Sequence, residues 1–85
     1  MRPTEMATIR RAILAHTNLT RRQATVAALL YMRRTNSEVA AECGISIHTA
    51  KRHVEMVLLK LGVGSRLEVE GIIDAALDKC RAEKT

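Results

Sequence analysis

The clearest helical pattern in this chain lies between Ser46 and Leu61, where an apolar and a polar stripe run side by side. The apolar stripe, at helical spacing, is Ala50, Val54, Val57, Leu58 and Leu61. The polar stripe, at positions i, i+3, i+4 and i+7, is His48, Lys51, Arg52 and Glu55. Ser46 is a favoured N-cap residue. The pattern therefore predicts a helix over residues 47–61 that buries one face and presents four polar side chains on another.

Capping boxes mark three further helix starts, because a hydroxyl residue and a Glu or Gln three residues later satisfy each other's unpaired backbone donors. The pairs are Thr20 with Gln23, Thr35 with Glu38, and Ser65 with Glu68. Together with Ser46 they predict helices at about 21–33, 36–43, 47–61 and 66–80. Gly44 stands between the second and third of these, at the expected left-handed position. This is helix-turn-helix spacing, so binding of duplex DNA in the major groove is the first functional hypothesis.

Residues 19–67 carry a recognisable set of residues at characteristic positions. They are Leu19-Thr20, Arg22, Val26, Asn36, Glu38, Val39, Ala40, Gly44-Ile45-Ser46, Thr49, Lys51, His53, Lys60-Leu61-Gly62-Val63 and Ser65-Arg66. In these positions the sequence resembles the LuxR-type helix-turn-helix, the DNA-binding domain of quorum-sensing regulators and many response regulators, which also occurs alone in GerE-like proteins. The resemblance implies an all-α, four-helix domain over residues 19–80 that acts as a sequence-specific transcription regulator. Residues 1–18 would add an N-terminal helical extension, and residues 81–85 a polar tail.

The polar face of the predicted helix, taken together with the resemblance, suggests roles for individual side chains. Lys51 and Arg52 are expected at base edges, with Glu55 as an acceptor for a cytosine amino group and His48 on the same face. The residues expected at DNA phosphates are Thr49, His53, Arg33, Arg34 and Ser46. For His53, a hydrogen-bonded structural position is an equally good interpretation. Glu55 stands where some family members carry a basic or polar residue, which changes the expected target sequence and not the fold.

Arg33 departs from the family pattern, because a glycine usually follows the first helix there. Either the turn differs, or Arg33 accepts a left-handed backbone at a cost of roughly 1 kcal/mol.

The first 18 residues lie outside the resemblance but also show a helical pattern. Thr4 is expected to cap a helix that runs to about His16. Its apolar stripe is Met6, Ile9, Ile13 and Leu14. Completing the domain core is the simplest role for this helix. Replacing the contacts of a sensor domain, or meeting a partner protein, stays open.

The last helix has two apolar faces. The wider stripe, expected to close the core, is Val69, Ile72, Ile73, Ala76, Leu77 and Cys80. Leu67, Gly71 and Ala75 lie on a neighbouring face, and a glycine within a helix, which costs about 1 kcal/mol relative to alanine, hints at a close helix approach. In the LuxR-type family this helix is the dimerisation element. The resemblance therefore implies a homodimer with two recognition helices in successive major grooves.

Charge and composition narrow the alternatives. The formal net charge is +5, and residues 1–34 hold seven arginines against one acid, so the basic surface lies upstream of the recognition helix. Tyr31 is the only aromatic residue, which disfavours a single-stranded nucleic-acid binder that stacks bases. No apolar run is long enough for a membrane span and no signal peptide is present, so a cytoplasmic protein is expected. The two cysteines and three histidines show no metal-ligand spacing, and no catalytic motif or cofactor loop is present. We therefore expect neither an enzyme nor a bound cofactor.

Two other functions remain open at this point. One is a domain similar to sigma-factor region 4, which would bind RNA polymerase. The other is a protein-interaction module that pairs with another regulator through its last helix. The modest charge of residues 35–66 and the presence of Glu55 favour that second alternative. Since no receiver or ligand domain accompanies the helix-turn-helix, control through abundance, a partner or the N-terminal helix is expected.

Overall fold

A computed structural model describes residues 3–83, with side chains from residue 5 onward. The helices are α1 (Pro3–His16), α2 (Arg21–Tyr31), α3 (Asn36–Cys43), α4 (Ile47–Leu61) and α5 (Arg66–Glu83). No strand occurs within residues 3–83, which confirms the all-α prediction. None of these helices is long and apolar enough to cross a membrane.

The capping boxes set the predicted helix starts. Thr20 accepts from the N–H of Gln23 (3.2 Å) and its own N–H donates to the Gln23 side chain (3.0 Å). The equivalent reciprocal bonds join Thr35 to Glu38 and Ser65 to Glu68. Helix α1 instead begins at Pro3, so Thr4 lies in its first turn and not at the N-cap; the Thr4 side chain falls outside the described residues. Capping boxes therefore account for the starts of three of the four helices α2 to α5.

The end of α2 differs from the prediction, because the helix stops at Tyr31 and not near residue 33. Arg33 has a left-handed backbone (φ 61°). Its N–H donates to the Leu30 carbonyl (2.9 Å), and the N–H of Arg34 donates to the Leu29 carbonyl (3.0 Å). This is a Schellman motif with arginine at the position that glycine usually occupies. Of the two alternatives for Arg33, the structure shows the strained left-handed turn.

The last helix, α5, extends further towards the C-terminus than predicted. Helix α5 continues to Glu83, so residues 81–83 of the expected polar tail are helical, and residues 84–85 lie outside the described part. An ion pair between Arg81 and Asp78 (3.5 Å) and a contact between His16 and Glu83 (3.0 Å) lie in this last turn. Polar residues on an exposed helix surface look like a tail in the sequence, which explains the error.

The core draws on all five helices. The largest fully buried side chains are Ile13 in α1, Val26 and Leu29 in α2, Val39 in α3, Val57 in α4, and Val69 and Ile73 in α5. Helix α1 packs against both α2 and α5. The N-terminal extension therefore contributes to the same core as the helices of the helix-turn-helix. The predicted α1 stripe is wrong at Leu14, which is 38% exposed. Helix α1 packs against α2 and α5 through the face that carries Ile9 and Ile13, and Leu14 lies about 140° around the helix from Ile9.

Polar contacts tie the α2–α3 turn to α5. The Tyr31 hydroxyl donates to Asp74, and Arg66 donates to the carbonyl of Arg34. The hydrogen bond to the Asp74 carboxylate, together with partial burial, raises the pKa of Tyr31 above its usual value. Arg33 forms an ion pair with Glu70 (3.2 Å). The first turns of α5 are thereby held against the segment that leads into α3.

The packing of α1 predicts different outcomes for two adjacent substitutions. Ile13→Ala removes a fully buried side chain and should lower the free energy of unfolding by about 2–5 kcal/mol. Leu14→Ala, the matched control on the exposed side, should cost less than about 1 kcal/mol. Urea denaturation followed by circular dichroism measures both. Equal, small effects would mean that α1 is not part of the cooperative core.

Candidate nucleic-acid interface

Helices α3 and α4 are joined by a three-residue turn whose geometry depends on Gly44 and Ser46. Gly44 has φ 66°, and a Cβ added there would meet nothing within 4 Å. The left-handed backbone, and not crowding, therefore favours glycine at this position. The N–H of Ile45 donates to the Ala40 carbonyl (3.0 Å) and closes α3. Ser46 is extended and accepts from the N–H of Thr49 (3.1 Å), which starts α4.

The orientation of α4 follows from its buried face. Ala50, Val54 and Val57 are buried in the core, and α4 packs mainly against α2 and α3. The polar stripe lies on the other side of the helix, and all four of its members are exposed. The shared face of His48, Lys51, Arg52 and Glu55 is thus present in the structure.

These four side chains line one shallow concavity of about 410 Å³. Met56 lines it as well, although it was not among the residues predicted from the sequence. The sequence pattern could have indicated this position, since Met56 lies four residues after Arg52 and is absent from the apolar stripe. We refer to His48, Lys51, Arg52, Glu55 and Met56 as the recognition face.

The residues predicted at phosphates fall into two separate groups. Ser46, Thr49 and His53 belong to the first two turns of α4, where the Ser46 hydroxyl donates to the Thr49 hydroxyl (2.9 Å). Arg33 and Arg34 lie at the α2–α3 turn, where they line a smaller cavity of about 180 Å³ together with Arg66 and Glu70. Arg33 and Arg34 already have acidic neighbours. Arg33 pairs with Glu70 (3.2 Å), and Arg34 lies 3.9 Å from Glu38.

The upstream basic surface is separate from the recognition face. Arg10, Arg11 and Arg21 line a groove of about 430 Å³ between α1 and α2, with no acid in its lining. Gln23, about 200° around α2 from Arg21, accepts from Lys60 of α4 (3.2 Å). The arginine groove therefore opens on the side of α2 away from α4. The charge count alone could not separate this groove from the recognition face.

Glu38, in the first turn of α3, has a carboxylate whose pKa is lowered by its surroundings. The backbone N–H of Thr35 donates to Glu38 (2.9 Å), and this bond, followed by the Thr35 hydroxyl and the nearby Arg34, lowers the pKa of Glu38 below its usual value. An ionised carboxylate here also interacts favourably with the positive end of the α3 dipole. Glu38 thus stabilises the helix that positions the turn.

Comparison with known proteins decides the family. The family model for bacterial regulatory proteins of the luxR family, GerE, matches residues 17–71. The chain belongs to this LuxR family. Transcriptional regulatory protein LiaR of Bacillus subtilis (strain 168) is similar to it, with 36% identity over 55 residues. That match covers 65% of this chain and 26% of LiaR, so the chain spans about a quarter of this relative's length. No solved structure matches the chain significantly.

The Glu38 cap predicts a pH-dependent contribution to stability. Because the pKa of Glu38 is lower in the folded state, its contribution is present above the unfolded pKa, about 4.3, and is lost as pH falls through the folded value. Glu38→Gln keeps a neutral acceptor and should be less stable than the original chain near pH 7. The difference should shrink as pH falls below 4, as measured by urea denaturation at several pH values. A difference independent of pH would contradict this assignment.

Proposed function

We propose that this LuxR-family chain is a sequence-specific regulator of transcription that inserts α4 into the major groove of duplex DNA. The observation that carries this proposal is the recognition face, on which hydrogen-bonding side chains of both charges surround one concavity on a helix whose opposite face is buried. A helix held in this way is the reading element of helix-turn-helix proteins. In a member of a bacterial regulator family, this activity belongs to the cytoplasm.

Within this proposal, the long donors of the recognition face read guanine. Arg52 and Lys51 can each donate to the O6 and N7 acceptors of guanine in the major groove. Glu55 accepts from the amino group of a cytosine, and His48 contacts a base near the start of the helix. The mixture of one acid with two bases on this face favours a defined target over general attraction to phosphate.

The phosphate contacts come from the two groups around the recognition face. Ser46, Thr49 and His53 lie at or near the N-terminal end of α4, where unpaired backbone N–H groups also favour an anion. Arg33 and Arg34 reach the backbone from the α2–α3 turn. Since each of these arginines has an acid nearby, binding would exchange a weak surface ion pair for a phosphate contact.

We also propose that two copies pair through α5. Leu67 is 72% exposed, and Gly71 and Ala75 are exposed on the same side of the helix. Nothing lies within 4 Å of a Cβ added to Gly71, so another helix could approach closely there. The core stripe of α5 is occupied separately by Val69, Ile73 and Ala76. A two-fold pair would place two copies of α4 on a roughly palindromic site.

Substitutions on the recognition face test base reading. Lys51→Ala and Arg52→Ala should each weaken binding by about 1–3 kcal/mol on a duplex selected from random sequence, and much less on random DNA. Arg34→Ala should weaken both alike and reduce the salt dependence by about one counterion. Arg11→Ala, in the arginine groove, is the matched control and should change neither discrimination nor the preferred sequence. Equal losses on selected and random DNA for Lys51→Ala and Arg52→Ala would contradict base reading.

The pairing proposal has an independent test in light scattering. Ala75→Glu places a charge in the proposed interface and should halve the apparent mass while leaving the helical circular dichroism unchanged. It should also weaken binding to a full palindrome more than to a half-site. Ala15→Glu, an equivalent change at an exposed alanine of α1, should leave the mass unchanged. An Ala75→Glu variant that stays dimeric places the interface elsewhere, and one that unfolds assigns this face to the core.

A further inference from the structure

Met56 is the apolar member of an otherwise hydrogen-bonding recognition face. It is 46% exposed and lines the concavity with His48, Lys51, Arg52 and Glu55. It is absent from the hydrophobic core and from the partly buried residues packed against that core. The core therefore does not account for a large apolar side chain at this position.

Other exposed apolar residues of α4 do not share this position. Ile47 and Leu59 are both exposed, Leu59 to 73%, but neither lines the concavity. Isolated exposed apolar side chains are ordinary on protein surfaces and need no special explanation. What distinguishes Met56 is its place among side chains that can reach base edges.

The helix geometry places Met56 one turn beyond Arg52. Residues at i and i+4 are neighbours on a helix surface, with Cβ atoms about 5–6 Å apart. A separation of about 6 Å along the helix axis corresponds to about two base-pair steps of about 3.4 Å each. When Arg52 contacts one base, Met56 can therefore reach a base edge up to two steps away.

The major groove offers one apolar group for such a side chain. Among the four bases, only thymine presents a methyl group there, at C5, and the polar groups on the base edges are hydrogen-bond donors and acceptors. Methionine is flexible and polarisable, so it can adapt to a small apolar surface. We propose that Met56 determines specificity by contacting the C5 methyl group of a thymine within two base pairs of the position read by Arg52. This inference rests on the proposed function of α4 in DNA reading.

Replacing thymine by deoxyuridine tests this contact, because the exchange removes the methyl group and keeps every hydrogen-bonding group. The duplex is one selected by the full chain from random sequence, and each thymine of a half-site is replaced in turn. The original chain should lose about fourfold in affinity at one thymine, as expected for one methyl-sized group that is no longer buried. Met56→Ala should bind the thymine and deoxyuridine duplexes equally at that position. Leu59→Ala, the matched exposed control, should keep the fourfold preference.

The position of the effect is a second readout. The sensitive thymine should lie within two base pairs of the base whose identity ceases to matter in Arg52→Ala. Equal affinity for thymine and deoxyuridine at every position, or an unchanged preference in Met56→Ala, would overturn the role of Met56 while leaving DNA reading by α4 intact. A chain that selects no duplex at all would overturn both proposals.

Discussion

Packing of one face of α4 against α2 and α3 is the interaction on which the rest of the site depends. Ala50, Val54 and Val57 are buried, so α4 has one rotational setting relative to the domain. The left-handed backbone at Gly44 and the cap at Ser46 fix where the helix starts. Every property of the recognition face follows from these constraints, because a rotation of α4 by one residue would bury a charged side chain and expose an apolar one.

A second set of contacts links the α2–α3 turn to α5. The bonds from Tyr31 to Asp74 and from Arg66 to the Arg34 carbonyl, with the ion pair between Arg33 and Glu70, all join the end of α2 to the first half of α5. Helix α1 packs on the same pair of helices. Under the proposed pairing through α5, the distance between two copies of α4 would be set by this connection and not by a flexible joint. The strained backbone at Arg33 lies at the centre of it.

The sequence predicted those features that depend on neighbouring residues. Helix starts followed from a hydroxyl residue with a Glu or Gln three residues later, and the bounds of α3 and α4 agree with the structure. The shared face of Lys51 and Arg52 follows from helix periodicity alone. The end of α2 was placed too late because arginine has no preference for a left-handed backbone, and only the family resemblance indicated such a turn at Arg33. In each of these cases the outcome depended on residues within a few positions of one another along the chain.

Features that depend on contacts distant in sequence could not be predicted. The exposure of Leu14 depends on where α2 and α5 press on α1, and the pairing of Arg33 with Glu70 joins residues 37 positions apart. The separation of the arginine groove from the recognition face requires the direction of Arg21 around α2 relative to Lys60 on α4. Met56 was missed for a different reason, since a methionine on a helix is more often part of a core than of a polar face.

A titration of the ¹⁵N-labelled chain with its selected DNA duplex, followed by amide chemical shifts, would locate the DNA-binding surface. If α4 reads DNA, the largest shifts should fall on residues 46–56 and at the α2–α3 turn, with the arginine groove of α1 and α2 little changed. Shifts centred on residues 7–25, with α4 unaffected, would contradict DNA reading by α4, because DNA would then bind the upstream basic surface and not the recognition helix.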